Sequence, residues 1–573
     1  MLEAAPHRGS QHDFLVLGRC VLGTSNSTEL PDASLFERDG IAVAFAGVLD
    51  NLEDLRIRFR DPLSEDETVT PAKVVASVFR RLRDDTPAAL RGMYAAVITD
   101  GSTVWCFRDH IAFGQLFYRL DPQGLYAATE AKQVLAGTRL SMEPDIEVVE
   151  RMFYADVDDD TPCAVKGVDR LPKATLLVSD GQRSRRRRYW DPQALVETAR
   201  PTMDEIRERF DQLMTQAVAR QITGSDVVSL SGGIDSPTVA VYAAPLSEEC
   251  YGHPMGALSE VYPDYPAVDE STYIKVVAEQ LGIQSHTFVP ESRPLDDILE
   301  WVRLCDGPIP VHPPSESAEF YRLARKLGYQ TVLGGDLAEF VIDRKYGVLS
   351  HLLIRGRFRG LWKQVRDERI YGHSWGGIIR QLASTFAPRA LLVARERRRP
   401  PSPLFPDWLD IRILNEINTR WIHAPRERWR KEQVAFFVGP GIGLEADEII
   451  GAVCGVRPRR PWIDVDLCEF FLSLPAEVKF PAYRSKSLVR SLLRGKVPDV
   501  ILDRTDKTYF NERLLARIDY PALCHWLMNP KDRIRGVNYQ MLADRLERKD
   551  LGNIGDYKWA IDLAKSHAFL SQW

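Results

Sequence analysis

SLSGGIDSPTVA, residues 229–240, is the stretch on which the reading of this chain turns. Asp226, Val227, Val228, Ser229 and Leu230 predict a short buried strand, Ser231, Gly232 and Gly233 a loop, and Ser236 with Pro237 the start of a helix. Proline suits the first helical turn, where its missing N–H costs nothing. The two glycines let an anion approach the backbone, while Ser231, Ser236 and the amides of the helix N-terminus offer donors to phosphate oxygens. Asp235 is the exception. A carboxylate directed at phosphate is repelled unless a cation lies between them, so Mg²⁺ is the expected companion.

The remainder of the chain is long enough for two to four domains. A hydrophobic content of 45% and a charged content of 27% are those of a globular protein. The longest nearly unbroken apolar run, Ile41–Leu49, is too short to span a bilayer, and MLEAAPHRGSQHDF has no apolar signal core, so a cytoplasmic protein without a membrane partner is expected. Eight cysteines without a CxxC pair suggest reduced thiols and no structural zinc. Net charge is only −5, which gives nucleic acid no general attraction. Residues 344–431 depart from that average, with 20 Lys and Arg against 7 Asp and Glu. They read either as the wet faces of amphipathic helices or as a basic wall for phosphates or an acidic partner. The segment RERRRPPSP, 395–403, reads as a loop.

With its preceding strand, Ser-Gly-Gly-x-Asp-Ser resembles the pyrophosphate loop of the ATP pyrophosphatases, which cleave ATP between the α and β phosphates. The resemblance implies that Leu230, Ser231, Gly232, Gly233, Asp235 and Ser236 bind ATP, and it differs from GxxxxGK(S/T), whose lysine serves γ-phosphate transfer. Thr202 and Glu205 form a capping box, followed by a helix with Ile206, Phe210, Leu213, Met214, Ala217 and Val218 on one face. Beyond the loop, MGALSEV, TYIKVVAEQLG, SHTFVP, DDILEWVRL, FYRLARKLG and QTVLGGD alternate strand and helix. This predicts a mostly parallel, doubly wound sheet with ligands at the carboxyl ends of its strands.

Residues 1–190 read differently. FLVLGRCVLG, IAVAFAGVLD, MYAAVITDG, TVWCFRD, LFYRL, GLYAAT and ATLLVSD are short strands, with helices at LEDLRIRF and AKVVASVFRRL. GQRSRRRRYWDP, 181–192, reads as a solvated hairpin edge and linker. AFAGVLDNLEDLR, RGMYAAVITDG, FRDHIAFGQLFY and YAATEAKQVL follow, in order and spacing, the N-terminal glutaminase domain of asparagine synthetase, which resembles the N-terminal-nucleophile hydrolases. That chemistry needs a cysteine directly after the initiator Met. Here Leu2 occupies the position, Ala46-Gly47 replaces the family's Asn-Gly, and Val48 replaces the Glu that grips glutamine. The resemblance therefore implies a glutaminase fold without glutaminase activity. The fold class is α/β and α+β: a degenerate glutaminase-like, Ntn-type sandwich over 1–190, then a doubly wound parallel-sheet ATP pyrophosphatase (PP-loop) domain with helical additions over 200–573.

The remaining motifs extend this resemblance to residue 515. VLGGDLAEF, 332–340, stands where the family has Ser-Gly-x-Gly-Ser-Asp; without gaps, Glu339 falls on the second metal ligand and Asp336 on the variable position. Asp235 and Glu339 are thus the expected metal pair, with Asp336 as the fallback. Counting back from Pro461 sets Glu445 where β-lactam synthetases carry a Glu that activates the attacking amine; the alternative is a helix-start Glu favoured by the dipole. The tyrosine that partners that Glu falls at Asp336, so the dyad is not copied. In SKSLVRSLLRGKVPDVILDRTDKTYF, 485–510, Lys507 corresponds to the lysine that meets the α-phosphate, whereas Lys486 and Arg490 read as structural. Lys507, Glu445 and Asp336 are the candidate catalytic residues.

Gly47-Val48-Leu49-Asp50-Asn51 is most similar to the Gly-x-Leu-Asp-Asn run of lasso peptide cyclases. That likeness implies an ATP- and Mg²⁺-dependent macrolactam synthetase acting on a precursor peptide, together with a leader-binding protein and a leader peptidase. Two alternatives stay open: a small-molecule amide former, either β-lactam synthetase-like or an ammonia-using asparagine synthetase-like enzyme, and a pseudoenzyme scaffold.

Overall fold

The structure is a computed structural model. It describes residues 1–573 except 29, 61–67, 310–312, 440, 506–507, 509–510 and 529.

Six strands make the main N-terminal sheet, in the order Ser184–Arg188, Thr175–Ser179, Val104–Arg108, Gly92–Thr99, Ile41–Leu49 and Ala33–Arg38, with every neighbouring pair antiparallel. Ile41–Leu49 buries one side under a helix, while Ala44, Ala46 and Val48 on its other side are half-buried and line a cavity. Val43, Phe45 and Tyr94 meet Val75, Val78 and Phe79 of the helix Pro71–Leu82, while Ala95, Cys106 and Leu177 meet Leu116, Tyr118 and Leu171. This second layer contains a three-stranded antiparallel sheet of Gly124–Ala128, Phe117–Asp121 and Asp169–Arg170. Helix Ala131–Thr138 follows, burying Val134 and Leu135 beside Phe117. The result is helix on sheet on sheet on helix.

Two details differ from the sequence reading. FLVLGRCVLG is not one strand but parts of a hairpin, Gln11–Leu17 with Cys20–Asn26, and Ala33–Arg38 is a strand that alternation did not reveal. The arginine-rich Ser184–Arg188 is an exposed edge strand, where cations discourage edge pairing.

The second sheet has five parallel strands, in the order Gln284–Phe288, Gly256–Glu260, Asp226–Ser229, Thr331–Leu333 and Arg457–Arg459. The chain moves outward from Asp226–Ser229 in one direction, then returns to its other side with Thr331–Leu333. Between those two strands the direction of the connections reverses, the switch point whose carboxyl end is where such sheets bind ligands. Helix Met203–Ala219 begins with the Thr202–Glu205 capping box and buries the six apolar residues read from its periodicity.

The basic segment is helical, including Phe358–Ile370, Trp375–Ser384 and Arg389–Arg397. The last of these carries residues 395–397, expected in a loop, as its final turn. Beyond residue 515, helix Ile554–Leu570 packs Ala560, Leu563 and Ala564 in one core with Val149, Met152 and Phe153 of the N-terminal part. Among the described residues no helix is long and apolar enough to cross a membrane.

Candidate functional site

The loop after Asp226–Ser229 folds back on itself. The Ser231 amide donates to Ser236 Oγ at 2.9 Å, and the two hydroxyls lie 3.0 Å apart. Helix Asp235–Tyr251 begins directly afterwards, with Pro237 in its first turn and Ser236 buried. Leu230 is buried at the base of the loop, its amide bonded to Leu258 O. Gly232 has a partner that the motif does not predict: its amide donates to Glu270 Oε2 at 2.8 Å. Arg504 clamps the same place, donating to Gly232 O at 2.9 Å and Glu270 Oε1 at 2.7 Å while its guanidinium lies over the Tyr273 ring. One rim of the loop is thus held by a carboxylate–guanidinium pair before any ligand arrives.

Asp235 sits at the positive end of its helix, where a carboxylate is stabilised. One oxygen pairs with the Lys486 ammonium; the other, Oδ1, is buried and accepts no hydrogen bond. Burial raises its pKa above the ordinary aspartate range despite Lys486, and Glu339 and Asp343 push it the same way. Lys486, read from sequence as structural, therefore belongs to this site, whereas Arg490 donates to Ser485, Ile501 and Leu502 carbonyls and braces the chain.

The second loop is pressed against the first. A Cβ on Gly335 would lie 2.3 Å from Ser236 N, so only glycine permits this approach. Leu337 then takes a left-handed φ of 69° and starts helix Ala338–Ile342, with Glu339 exposed in its first turn. Asp336 is engaged elsewhere. Arg460 Nε donates to its Oδ2 at 2.7 Å, and Arg460 Nη2 donates to Asp447 Oδ2 at 2.8 Å. Tyr321 OH completes the cluster, 2.6 Å from Asp447 Oδ1.

Could Mg²⁺ be held here? A buried carboxylate oxygen without a donor, an exposed glutamate coupled to it and a neighbouring phosphate loop suit a hard cation that keeps several oxygens from outside the protein. No group of three or more His, Cys, Asp or Glu side chains among the described residues forms a cage by itself. Asp235 and Glu339 are the residues that would hold such a cation.

Glu445 is in different company. It is buried on helix Ile442–Cys454, where Arg108 Nη1 reaches it at 2.8 Å and Arg170 Nη1 at 3.0 Å. Burial alone would raise its pKa, but the two guanidiniums hold it below the ordinary glutamate value. Asp447, two positions and about 200° further round the helix, is the carboxylate that faces Tyr321 and Arg460. The dyad position counted back from Pro461 thus turns toward the N-terminal domain. Lys507 lies outside the described residues. Nothing in the spacing marked Glu270 as a partner of Gly232 and Arg504, or Asp447 as a partner of Tyr321 and Arg460; Arg504 stood in the run 485–510 without a role.

Leu2, Ala46 and Val48 all line one cavity of about 350 Å³, with no cysteine in its lining. Its far wall is built by Glu448, Ala452 and residues 456–459 of the second domain.

Residues 209–562 match the family model described as asparagine synthase, and residues 4–190 that described as glutamine amidotransferase domain. Asparagine synthetase (glutamine-hydrolyzing) 3 of Bacillus subtilis strain 168 is 23% identical over 546 residues, covering 91% of this chain and 83% of the relative. Among solved structures, glutamine phosphoribosylpyrophosphate amidotransferase from B. subtilis, complexed with ADP and GMP, is 13% identical over 58% of this chain and 77% of that chain. Its TM-score of 0.24 is too low to carry an argument.

Proposed function

The chain belongs to the asparagine synthase family, and from that premise we propose that it is an AMP-forming carbon–nitrogen ligase that closes a macrolactam in a ribosomal peptide. In this reading residues 231–236 would hold ATP, and Asp235 and Glu339 would hold Mg²⁺, which would supply positive charge to the phosphates. An Asp or Glu side-chain carboxylate of the peptide attacks the α-phosphorus, an acyl–O–P bond forms, and pyrophosphate leaves. The peptide's own N-terminal amine then attacks the acyl carbon and loses a proton, while the acyl–oxygen bond breaks and AMP departs. Rate enhancement comes from holding tail and carboxylate together and from cations around the α-phosphate. Lys486 on the Asp235 side and Lys507 on the segment beyond Arg504 are the two lysines for that task.

The observation that carries the nucleotide chemistry is Asp235: a carboxylate with one bare oxygen, at a helix start, behind a glycine loop. The choice of amine rests on Leu2, Ala46 and Val48. The absence of a cysteine among the described residues of that cavity supports a domain that supplies no ammonia, so that the nucleophile arrives with the substrate. The peptide reading rests on the Gly47-to-Asn51 run, whose Asp50 pairs with Arg459 across the domain interface. A leader-binding protein and a leader peptidase are the proposed partners. The 91% coverage by an asparagine synthetase relative favours a second reading, a small-molecule amide former using free ammonia.

A candidate precursor peptide incubated with ATP and Mg²⁺ should release pyrophosphate and lose one water from its mass, and Asp235→Ala should do neither. ADP instead of AMP, or glutamate released from glutamine, would overturn the proposal; turnover of aspartate with ammonia but not of peptide would select the second reading.

A further inference from the structure

Helices Phe358–Ile370, Trp375–Ser384 and Arg389–Arg397 show little of themselves to the core. The second buries only Ile378 and the third buries nothing. Their outer surface is not an ordinary wet face. Phe358, Trp362, Ile370, Ile379 and Phe386 are 61–75% exposed, and between residues 354 and 399 eleven Lys and Arg are exposed while no acid is. Asp367 and Glu368 are turned inward, and Glu396 is half-buried. Arg355, Arg359, Lys363 and Arg380 have no ion pair among the described residues.

A chain of contacts links this face to Asp235. Arg369 lies over Trp375 and donates to His373 O at 2.6 Å; the His373 ring meets Tyr483 OH at 2.6 Å, and Tyr371 packs on the Tyr483 ring. Lys345 Nζ donates to the Tyr483 and Arg484 carbonyls, and Lys486, three residues after Tyr483, meets Asp235. Exposed aromatic and aliphatic groups set among unpaired cations match a chain of opposite charge that also carries apolar side chains. That link to Asp235 favours an occupant one end of which can reach the 231–236 loop, which a lipid surface cannot do.

We propose that this face is the binding track for an acidic, apolar-studded flank of the peptide substrate, the part of that chain remote from the reacting carboxylate. The inference rests on the peptide reading above, but its binding test does not require turnover. A fluorescein-labelled peptide of alternating Asp or Glu with Leu or Phe is titrated with the full-length protein and followed by anisotropy, at low and physiological salt. Combined Arg359→Glu, Lys363→Glu and Arg380→Glu reversal should weaken binding at least about tenfold, as should Trp362→Ser with Phe358→Ser. Both variants should keep the wild-type circular dichroism. With a turned-over peptide, reversal should raise KM for an acidic-flanked substrate, leave kcat unchanged, and leave a neutral-flanked substrate unaffected. Unchanged anisotropy after charge reversal would overturn the track, as would tighter binding to phosphatidylglycerol vesicles or single-stranded nucleic acid than to the peptide. Binding intact but no macrolactam formed would overturn the peptide ligase reading instead.

Discussion

Asp336 and Glu339 stand three positions apart in one loop, yet their surroundings assign them different work. The Asp336 carboxylate is already satisfied by Arg460, whose other nitrogen holds Asp447. Glu339 is exposed in the first turn of a short helix and acts electrostatically on Asp235. A carboxylate that must meet a cation is better left without a fixed guanidinium partner. Glu339→Gln should therefore raise the Mg²⁺ concentration needed for half-maximal pyrophosphate release by at least about tenfold. Asp336→Asn should leave that Mg²⁺ requirement unchanged. A magnesium titration of both variants checks the assignment, and the opposite ranking would transfer the second ligand to Asp336.

At the scale of elements, the site depends on two strand ends brought nearly into backbone contact. Thr331–Leu333 pairs in parallel with Asp226–Ser229, which carries the Gly334-Gly335 turn alongside the start of helix Asp235–Tyr251. Gly335 has no room for a side chain, because the atoms a Cβ would strike belong to the Ser236 backbone and cannot swing aside. Gly335→Ala must therefore push the two loops apart, at a cost of about 1 to 3 kcal/mol of overpacking strain. It should lower pyrophosphate release more than tenfold while far-UV circular dichroism stays unchanged. A fully active variant would mean that the loops separate freely and that their approach has no part in the chemistry.

Across the whole molecule, the domains share apolar cores and are tied by charge as well. Arg8 meets Glu448, Arg457 meets Asp32, Arg459 meets Asp50, and Arg91 meets Asp466, which Arg220 of the second domain also holds. Deepest is Glu445 between Arg108 and Arg170. Removing one member of a buried cluster leaves uncompensated charge and costs about 3 to 5 kcal/mol, whereas apolar replacement of both partners can be nearly neutral. Glu445→Gln should accordingly lower the urea midpoint sharply, and Glu445→Leu with Arg108→Met should recover part of the loss. The pH dependence has a definite sign. Because the folded pKa of Glu445 is depressed, its contribution is whole above the ordinary glutamate value and is lost as pH falls through the folded value. Urea midpoints measured from neutral pH downward should converge for wild type and Glu445→Gln in strong acid. A Glu445→Gln protein of unchanged stability but abolished amide formation would return the residue to the reaction.

Local chemistry alone was enough for the strand–loop–helix at 226–240, the capped helix at 203–219 and the parallel alternation after them, because turn residues and apolar period act over a few neighbours. The family resemblance, not local chemistry, marked Leu2, Ala46 and Val48 as departures, and the structure sets all three around one cavity. Pairings between distant segments lay beyond both: Glu270 on the Gly232 amide, Lys486 on Asp235, and Asp447 rather than Glu445 beside Tyr321. Those depend on which strands lie adjacent and which way a helix is rotated, since two positions along a helix turn a carboxylate to the opposite face. Sequence by itself determined the glycine-rich loop and the kind of sheet that bears it; only the tertiary structure decided which charges meet there, because burial and sheet order, not spacing along the chain, select each partner.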